Sequence, residues 1–149
     1  ALVENDVATY QCRWIKLKVT NNKSPWLKKI KYLNLPVAHQ EGKFLVDKQI
    51  MKKLKKENLI ACKYVDNNGS LAKERFPQNP NGSIEDIAGI ANLKGNVLAI
   101  MPHPERAIYT LQKPDWINRK YKIKNKLSHR EKFYADGYKI FKNAYNYFK

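Results

Sequence analysis

The 149-residue sequence is short of cysteine, arginine, acid and long apolar runs. Its two cysteines, Cys12 and Cys62, show no Cys-x-x-Cys spacing, and its three histidines are scattered. That excludes the common zinc arrangements and a disulfide framework. The expectation is no metal and two reduced, buried thiols in strands. No apolar run approaches the roughly 18 residues of a membrane span, so no membrane partner is expected. The opening Ala1-Leu2-Val3-Glu4-Asn5-Asp6 carries two acids and no basic region. It does not read as a signal peptide, and the expected location is cytoplasmic.

Acid is heavily outnumbered: 29 Lys and Arg stand against 13 Asp and Glu, a net charge of +16. Such a balance raises nucleic-acid binding as a hypothesis. Its make-up argues against it, because 24 of the 29 are Lys and only 5 are Arg. Arg is the side chain suited to bidentate phosphate and base contacts. The lysines are spread over every segment and read as solvated faces.

What is present centres on Val97-Leu98-Ala99-Ile100-Met101-Pro102-His103-Pro104-Glu105-Arg106. An uninterrupted apolar run reads as a strand buried on both faces, as in a parallel sheet. Pro102 cannot donate to a ladder and should end it. His103 and Glu105 then sit just past the strand's C-terminal end, where open α/β sheets bind ligands. Residues two apart in extended chain point the same way, and Pro104 restricts the backbone between them. A carboxylate beside an imidazole can fix its tautomer and stabilise its protonated form. An ion pair in a surface turn explains the spacing equally well.

Other elements follow from pattern. Residues 9–20 alternate as a strand, with a phase slip at Ile15-Lys16 that predicts a bulge. Asn21-Asn22-Lys23 reads as a turn, and Ser24-Pro25 starts a short helix. Leu35 to His39 reads as a strand leading into Gln40-Glu41-Gly42, where His39 and Glu41 repeat the spacing of His103 and Glu105. Asp47 caps a helix to about Glu57 with Ile50, Met51 and Leu54 inward. Residues 59–65 form a strand, and residues 77–83 a loop in which the sequon Asn81-Gly82-Ser83 is turn chemistry. Residues 87–91 and 97–101 form a hairpin. Residues 109–128 read as a loop and short helix anchored by Trp116. Residues 131–148 read as a helix whose stripe Tyr134, Tyr138, Phe141, Tyr145 and Phe148 is core, with Gly137 permitting close approach to the sheet.

Taken together, Cys12-Arg13-Trp14, Ser24-Pro25-Trp26-Leu27, Leu35-Pro36-Val37-Ala38-His39-Gln40-Glu41-Gly42, Asn79-Pro80-Asn81-Gly82-Ser83 and Met101-Pro102-His103-Pro104-Glu105-Arg106 resemble one family over essentially the whole chain. It is the family of glutaminase subunits of phosphoribosylformylglycinamidine synthase, class I glutamine amidotransferases of purine biosynthesis. The resemblance implies a three-layer, flavodoxin-like α/β domain with a mostly parallel sheet and some antiparallel strands. It implies a Cys-His-Glu triad in which His103 is the base and Glu105 orients it. It places His39, Gln40, Glu41 and Gly42 near the glutamine pocket, although the family usually has Gly where this chain has Gln40. It implies glutamine as substrate and a synthetase partner that uses ATP and Mg, with a small accessory subunit. No cofactor is implied for this chain itself.

One family feature has no counterpart. The nucleophile elbow, Gly-x-Cys-x-Gly, matches neither Cys12, between Gln11 and Arg13, nor Cys62, between Ala61 and Lys63. The resemblance therefore implies that residues 1–149 are the C-terminal portion of a single amidotransferase domain, with the nucleophilic Cys on an upstream segment. The alternatives are a non-catalytic scaffold or partner chain and, with less support, a basic nucleic-acid-binding domain.

Overall fold

The computed structural model describes residues 1–20, 23–117 and 133–149. In chain order its elements are strands Leu2–Val3 (β1), Gln11–Val19 (β2), Tyr32–His39 (β3) and Lys43–Phe44 (β4), helix Lys48–Lys56 (α1), strands Ile60–Val65 (β5), Ile87–Ala91 (β6) and Leu98–Ile100 (β7), and helix Asp136–Tyr147 (α2). Short 3-10 turns lie at Pro25–Leu27, Ile84–Asp86, Pro104–Ala107 and Thr110–Gln112. No helix among the described residues is long and apolar enough to cross a membrane.

β1 and β4 form a two-stranded sheet, and the other five strands form one sheet in the order β3-β2-β5-β6-β7. Every ladder in that sheet is antiparallel, so these residues do not form the expected mostly parallel arrangement. The connections explain the ladders of β2 with β3 and of β6 with β7. A parallel neighbour needs a crossover of about a dozen residues or more, usually a helix. The link from Asn92 to Val97 can only turn a hairpin, and the link from β2 to β3 holds a 3-10 turn rather than a helix.

The strands buried on both faces are β5, at the centre of the sheet, and its neighbour β6, rather than β7. β7 is an edge strand; Val97 and Ala99 are exposed and Leu98 and Ile100 half-buried. Its apolar run borders an open apolar cavity of about 530 Å³, lined by Leu2, Gly42, Phe44, Ala88, Leu98 and Met101 among others. β2 pairs with β3 in unbroken register from Gln11↔His39 to Lys18↔Tyr32, so it has no bulge on that side. The apparent phase slip is two faces of one regular strand. Ile15 and Leu17 are buried on one face, and Cys12 and Lys18 are exposed on the other.

The main core is built by Ile15, Leu17, Leu27, Leu33, Leu35, Tyr64 and Ile140. Fully burying one such Leu contributes about 1.5–3 kcal/mol. A smaller cluster holds α1 through Met51 and Leu54 against Ile60 and Ile87. α1 starts as expected, with the Asp47 carboxylate accepting the Ile50 N–H at 2.8 Å, but Ile50 itself is exposed. Asn21-Asn22 and residues 118–132 lie outside the described residues. The helix expected from residue 131 begins at Asp136, and Tyr134 before it is held in an isolated bridge with Tyr109.

α2 reverses its expected orientation. Phe141, Tyr145 and Phe148 are exposed, and Gly137 and Ile140 face inward. A stripe at helical spacing defines a face without saying which way it turns. The partner that decides is the 3-10 turn at Pro104–Ala107, which approaches Gly137 more closely than any side chain would permit.

Candidate active site

β7 delivers the His-Pro-Glu segment as the apolar run and Pro102 predict. The Met101 N–H donates to the Ala88 carbonyl at 3.0 Å, and Pro102 is buried. The His103 N–H then donates to the Pro36 carbonyl at 2.8 Å, on the free edge of β3. Pro36 is tolerated in β3 because an edge strand has one unpaired side. His103 is extended (φ −95°, ψ 96°), and Pro104 opens the 3-10 turn that brings Glu105 back beneath it.

His103 Nδ1 lies 2.6 Å from Glu105 Oε1. An ionised carboxylate only accepts, so Nδ1 carries the proton and donates it. In the neutral ring the lone pair is then on Nε2. That is the arrangement of a general base whose orienting partner is already in place. The ring is about one-third exposed and Glu105 about half, so both can meet a substrate or a second segment.

His39 has the same spacing to Glu41 and a different fate. Glu41 is exposed, whereas His39 is buried and bonded elsewhere. Its Nδ1 lies 3.1 Å from Asn5 Oδ1, and Asn81 Nδ2 lies 3.5 Å from its Nε2. The Asn5 amide is oriented unambiguously: its Nδ2 donates to the Thr9 and His39 carbonyls, and its Oδ1 accepts the Gly42 N–H. His39 Nδ1 must therefore be the donor to that oxygen. Asn81 Nδ2 also donates to the Gly42 carbonyl at 2.7 Å and to the Tyr64 hydroxyl at 3.1 Å. With two protons for three acceptors, its approach to His39 is the weakest contact. Burial holds the His39 pKa below its ordinary value; the His103 charge acts in the same direction, and a backbone hydrogen bond opposes both. His39 is thus a neutral, internally satisfied ring.

Gly42 completes that arrangement. A Cβ there would sit 2.4 Å from His39 Nδ1, so only glycine lets the loop fold back across the ring. Gln40 and Glu41 point outward, and Gln40 Nε2 approaches Glu4 Oε1 at 3.4 Å. Gln40 is not among the residues with positive φ, so its departure from glycine costs the backbone nothing.

Sequence reasoning missed the floor of this loop. Asn79, Asn81, Ser83 and Asp86 are buried, not surface turn residues. Asn81 Oδ1 accepts from the Ser83 N–H and hydroxyl, and Asp86 accepts from the Lys73 and Glu74 N–H groups and Asn79 Nδ2. The available signal was the density of short amide and hydroxyl side chains beside Gly82.

Neither cysteine joins His103. Cys62 is fully buried in β5, and burial pushes its thiol up to about 12. Cys12 is exposed on β2 rather than buried as expected, because it lies on the strand face opposite Ile15 and Leu17, and neither thiol is among the hydrogen-bond partners of His103.

Residues 1–148 match the CobB/CobQ-like glutamine amidotransferase domain. The chain belongs to that amidotransferase family. Two proteins of Methanococcus maripaludis strains, each named phosphoribosylformylglycinamidine synthase subunit PurQ, are 35% and 36% identical over 153 residues, covering 99% of this chain. The chain spans about half of their length, 54% and 55%. A solved structure of PurLQS from Thermotoga maritima aligns with all of this chain and 53% of its own, at a TM-score of 0.64 and 28% identity. The antiparallel sheet described above is therefore found within an amidotransferase fold.

Proposed function

We propose that this chain is the His–Glu half of a glutamine-hydrolysing amidotransferase subunit acting in purine biosynthesis. The observation that carries the reading is the 2.6 Å contact between His103 Nδ1 and Glu105 Oε1, which leaves Nε2 to exchange a proton. Family membership and the relatives' names support the reaction. In it, a Cys thiol on a segment outside residues 1–149 attacks the side-chain amide carbon of glutamine. His103 Nε2 takes the thiol proton and returns it to the departing ammonia. A glutamyl thioester remains, and water attacking through the same base releases glutamate and regenerates the thiol. The ammonia passes to a synthetase subunit, where ATP and Mg drive conversion of formylglycinamide ribonucleotide to the amidine. A small accessory subunit completes the assembly, and the location is cytoplasmic.

The apolar cavity between β7, Gly42 and Phe44 suits a further part of the same domain, with the nucleophile's strand laid along the open edge of β7. Strands added there in parallel would give the three-layer sheet of the complete domain. The His39–Gly42 loop borders the glutamine pocket through the outward Gln40 and Glu41, while His39 and Gly42 shape it from below.

The test uses the complete subunit with its synthetase partner. In His103→Ala, glutamine-dependent amidine formation should fall by about 1,000-fold or more, while formation from added ammonia stays near wild type. Retention of glutamine-dependent activity overturns the reading. Loss of both activities points to the scaffold role instead.

A further inference from the structure

The His103–Glu105 turn is gripped from two sides. On one side the His103 N–H is bonded to the Pro36 carbonyl of β3 at 2.8 Å. On the other, α2 meets the turn backbone to backbone. A Cβ on Gly137 would fall 2.0 Å from the Pro104 carbonyl oxygen and 2.8 Å from that of Ala107. Both obstacles are main chain, so no side chain can swing aside. The same end of α2 is fastened to β3. Asp136 Oδ2 accepts the Asn34 N–H at 2.9 Å and Asn34 Nδ2 at 3.0 Å. The Ala135 N–H donates to the Ile108 carbonyl at 2.8 Å, just past the turn. Burial pushes the Asp136 carboxyl up, but Lys139 and the Asn34 donors outweigh it and hold the group below its ordinary value, ionised and accepting.

β3, the turn and the first residues of α2 therefore form a closed circuit of contacts around His103 and Glu105. Gly137 is the second residue of α2, in the helix's first turn. The contact with Pro104 supplies the reason for a glycine at this position.

We propose that Gly137 and Asp136 are positioning residues for the His103–Glu105 pair, setting the pair's placement through the backbone of residues 104–107. The inference rests on the functional reading above. Interiors are close-packed and yield little, so a methyl at Gly137 must part the helix and the turn by about 1 Å. A misplacement of about 1 Å at a reacting group costs on the order of 100-fold in rate.

The experiment compares Gly137→Ala, Asp136→Ala and His103→Ala in the complete subunit with its synthetase partner. Glutaminase kcat and KM are measured beside hydrogen exchange of the peptide holding His103 and Arg106. In Gly137→Ala, kcat should fall about 100-fold with KM within about twofold, and exchange at the turn should quicken while β2 stays protected. Asp136→Ala should show the same pattern at about tenfold. Wild-type kcat in a folded Gly137→Ala overturns the proposal. So does a loss carried by KM, or by uniformly faster exchange. If Gly137→Ala does not fold, the same two readouts in Asp136→Ala decide. Activity surviving in His103→Ala would instead remove the functional reading beneath it. An inactive His103→Ala beside fully active Gly137→Ala and Asp136→Ala removes only the positioning role.

Discussion

Two segments of this molecule carry His-x-Glu, and they end in opposite places. At 103–105 the imidazole meets its own carboxylate and keeps about a third of its surface in the open. At 39–41 the carboxylate points away and the imidazole is buried against two amides. The intervening residue separates them. Pro104 starts a 3-10 turn that curls Glu105 under His103. Gln40 continues outward, and Gly42 then folds over the His39 ring. A spacing of two residues is therefore only an opportunity; the backbone after the histidine decides whether a proton-transfer pair or a structural knot forms.

The comparison is sharpest for function. His103→Ala should remove about 1,000-fold of glutaminase activity and change stability by less than about 0.5 kcal/mol, as for surface sites. Urea unfolding beside an activity assay checks both halves. His39→Ala should act the other way round. It leaves Asn5 Oδ1 with one donor fewer in a buried site and opens space beside Gly42, costing about 1–3 kcal/mol. A His39→Ala protein as stable as wild type would break the comparison. Glu105→Gln keeps the size but lets the ring lose its fixed tautomer, for a fall of about 100-fold in kcat, whereas Glu41→Gln should leave kcat unchanged.

Gly42→Ala forces a Cβ onto the His39 ring and should cost about 1–3 kcal/mol as overpacking, read from the urea midpoint. A pH dependence also follows. The His39 pKa is lower in the folded chain than the ordinary value of about 6.5. Between those two values the unfolded chain binds the extra proton, so stability rises with pH there. The contribution is complete above about pH 6.5 and fades as pH falls through it. Urea midpoints between pH 7.5 and 5 should decline less steeply in His39→Gln. The smallest effect on stability belongs to Gln40→Gly, within about 0.5 kcal/mol by urea midpoint, because Gln40 has no positive φ for glycine to relieve.

Much of this was legible in the residues. The apolar run closed by Pro102 marked a strand and its end, and the Asp47 cap marked α1. The spacing allowed the His103–Glu105 contact, although extended chain was expected there and a 3-10 turn from Pro104 makes it. What stayed hidden depends on tertiary partners. The antiparallel sheet is set by which strands neighbour one another, which an apolar run does not encode. Asn81 and Ser83 look like a turn because the residues that favour turns also satisfy buried backbone. The aromatic face of α2 turned outward because the helix docks through its smallest residue, and periodicity cannot rank a glycine above five aromatics.

The thiol of Cys62, raised to about 12, has a practical consequence. Alkylating reagents capture thiolates, so at neutral pH this side chain stays silent to them. With the exposed Cys12 replaced by serine, residues 1–149 become a blank background. Label taken up by a complete subunit in that form, and withheld when a glutamine analogue is bound, would count the attacking thiol directly.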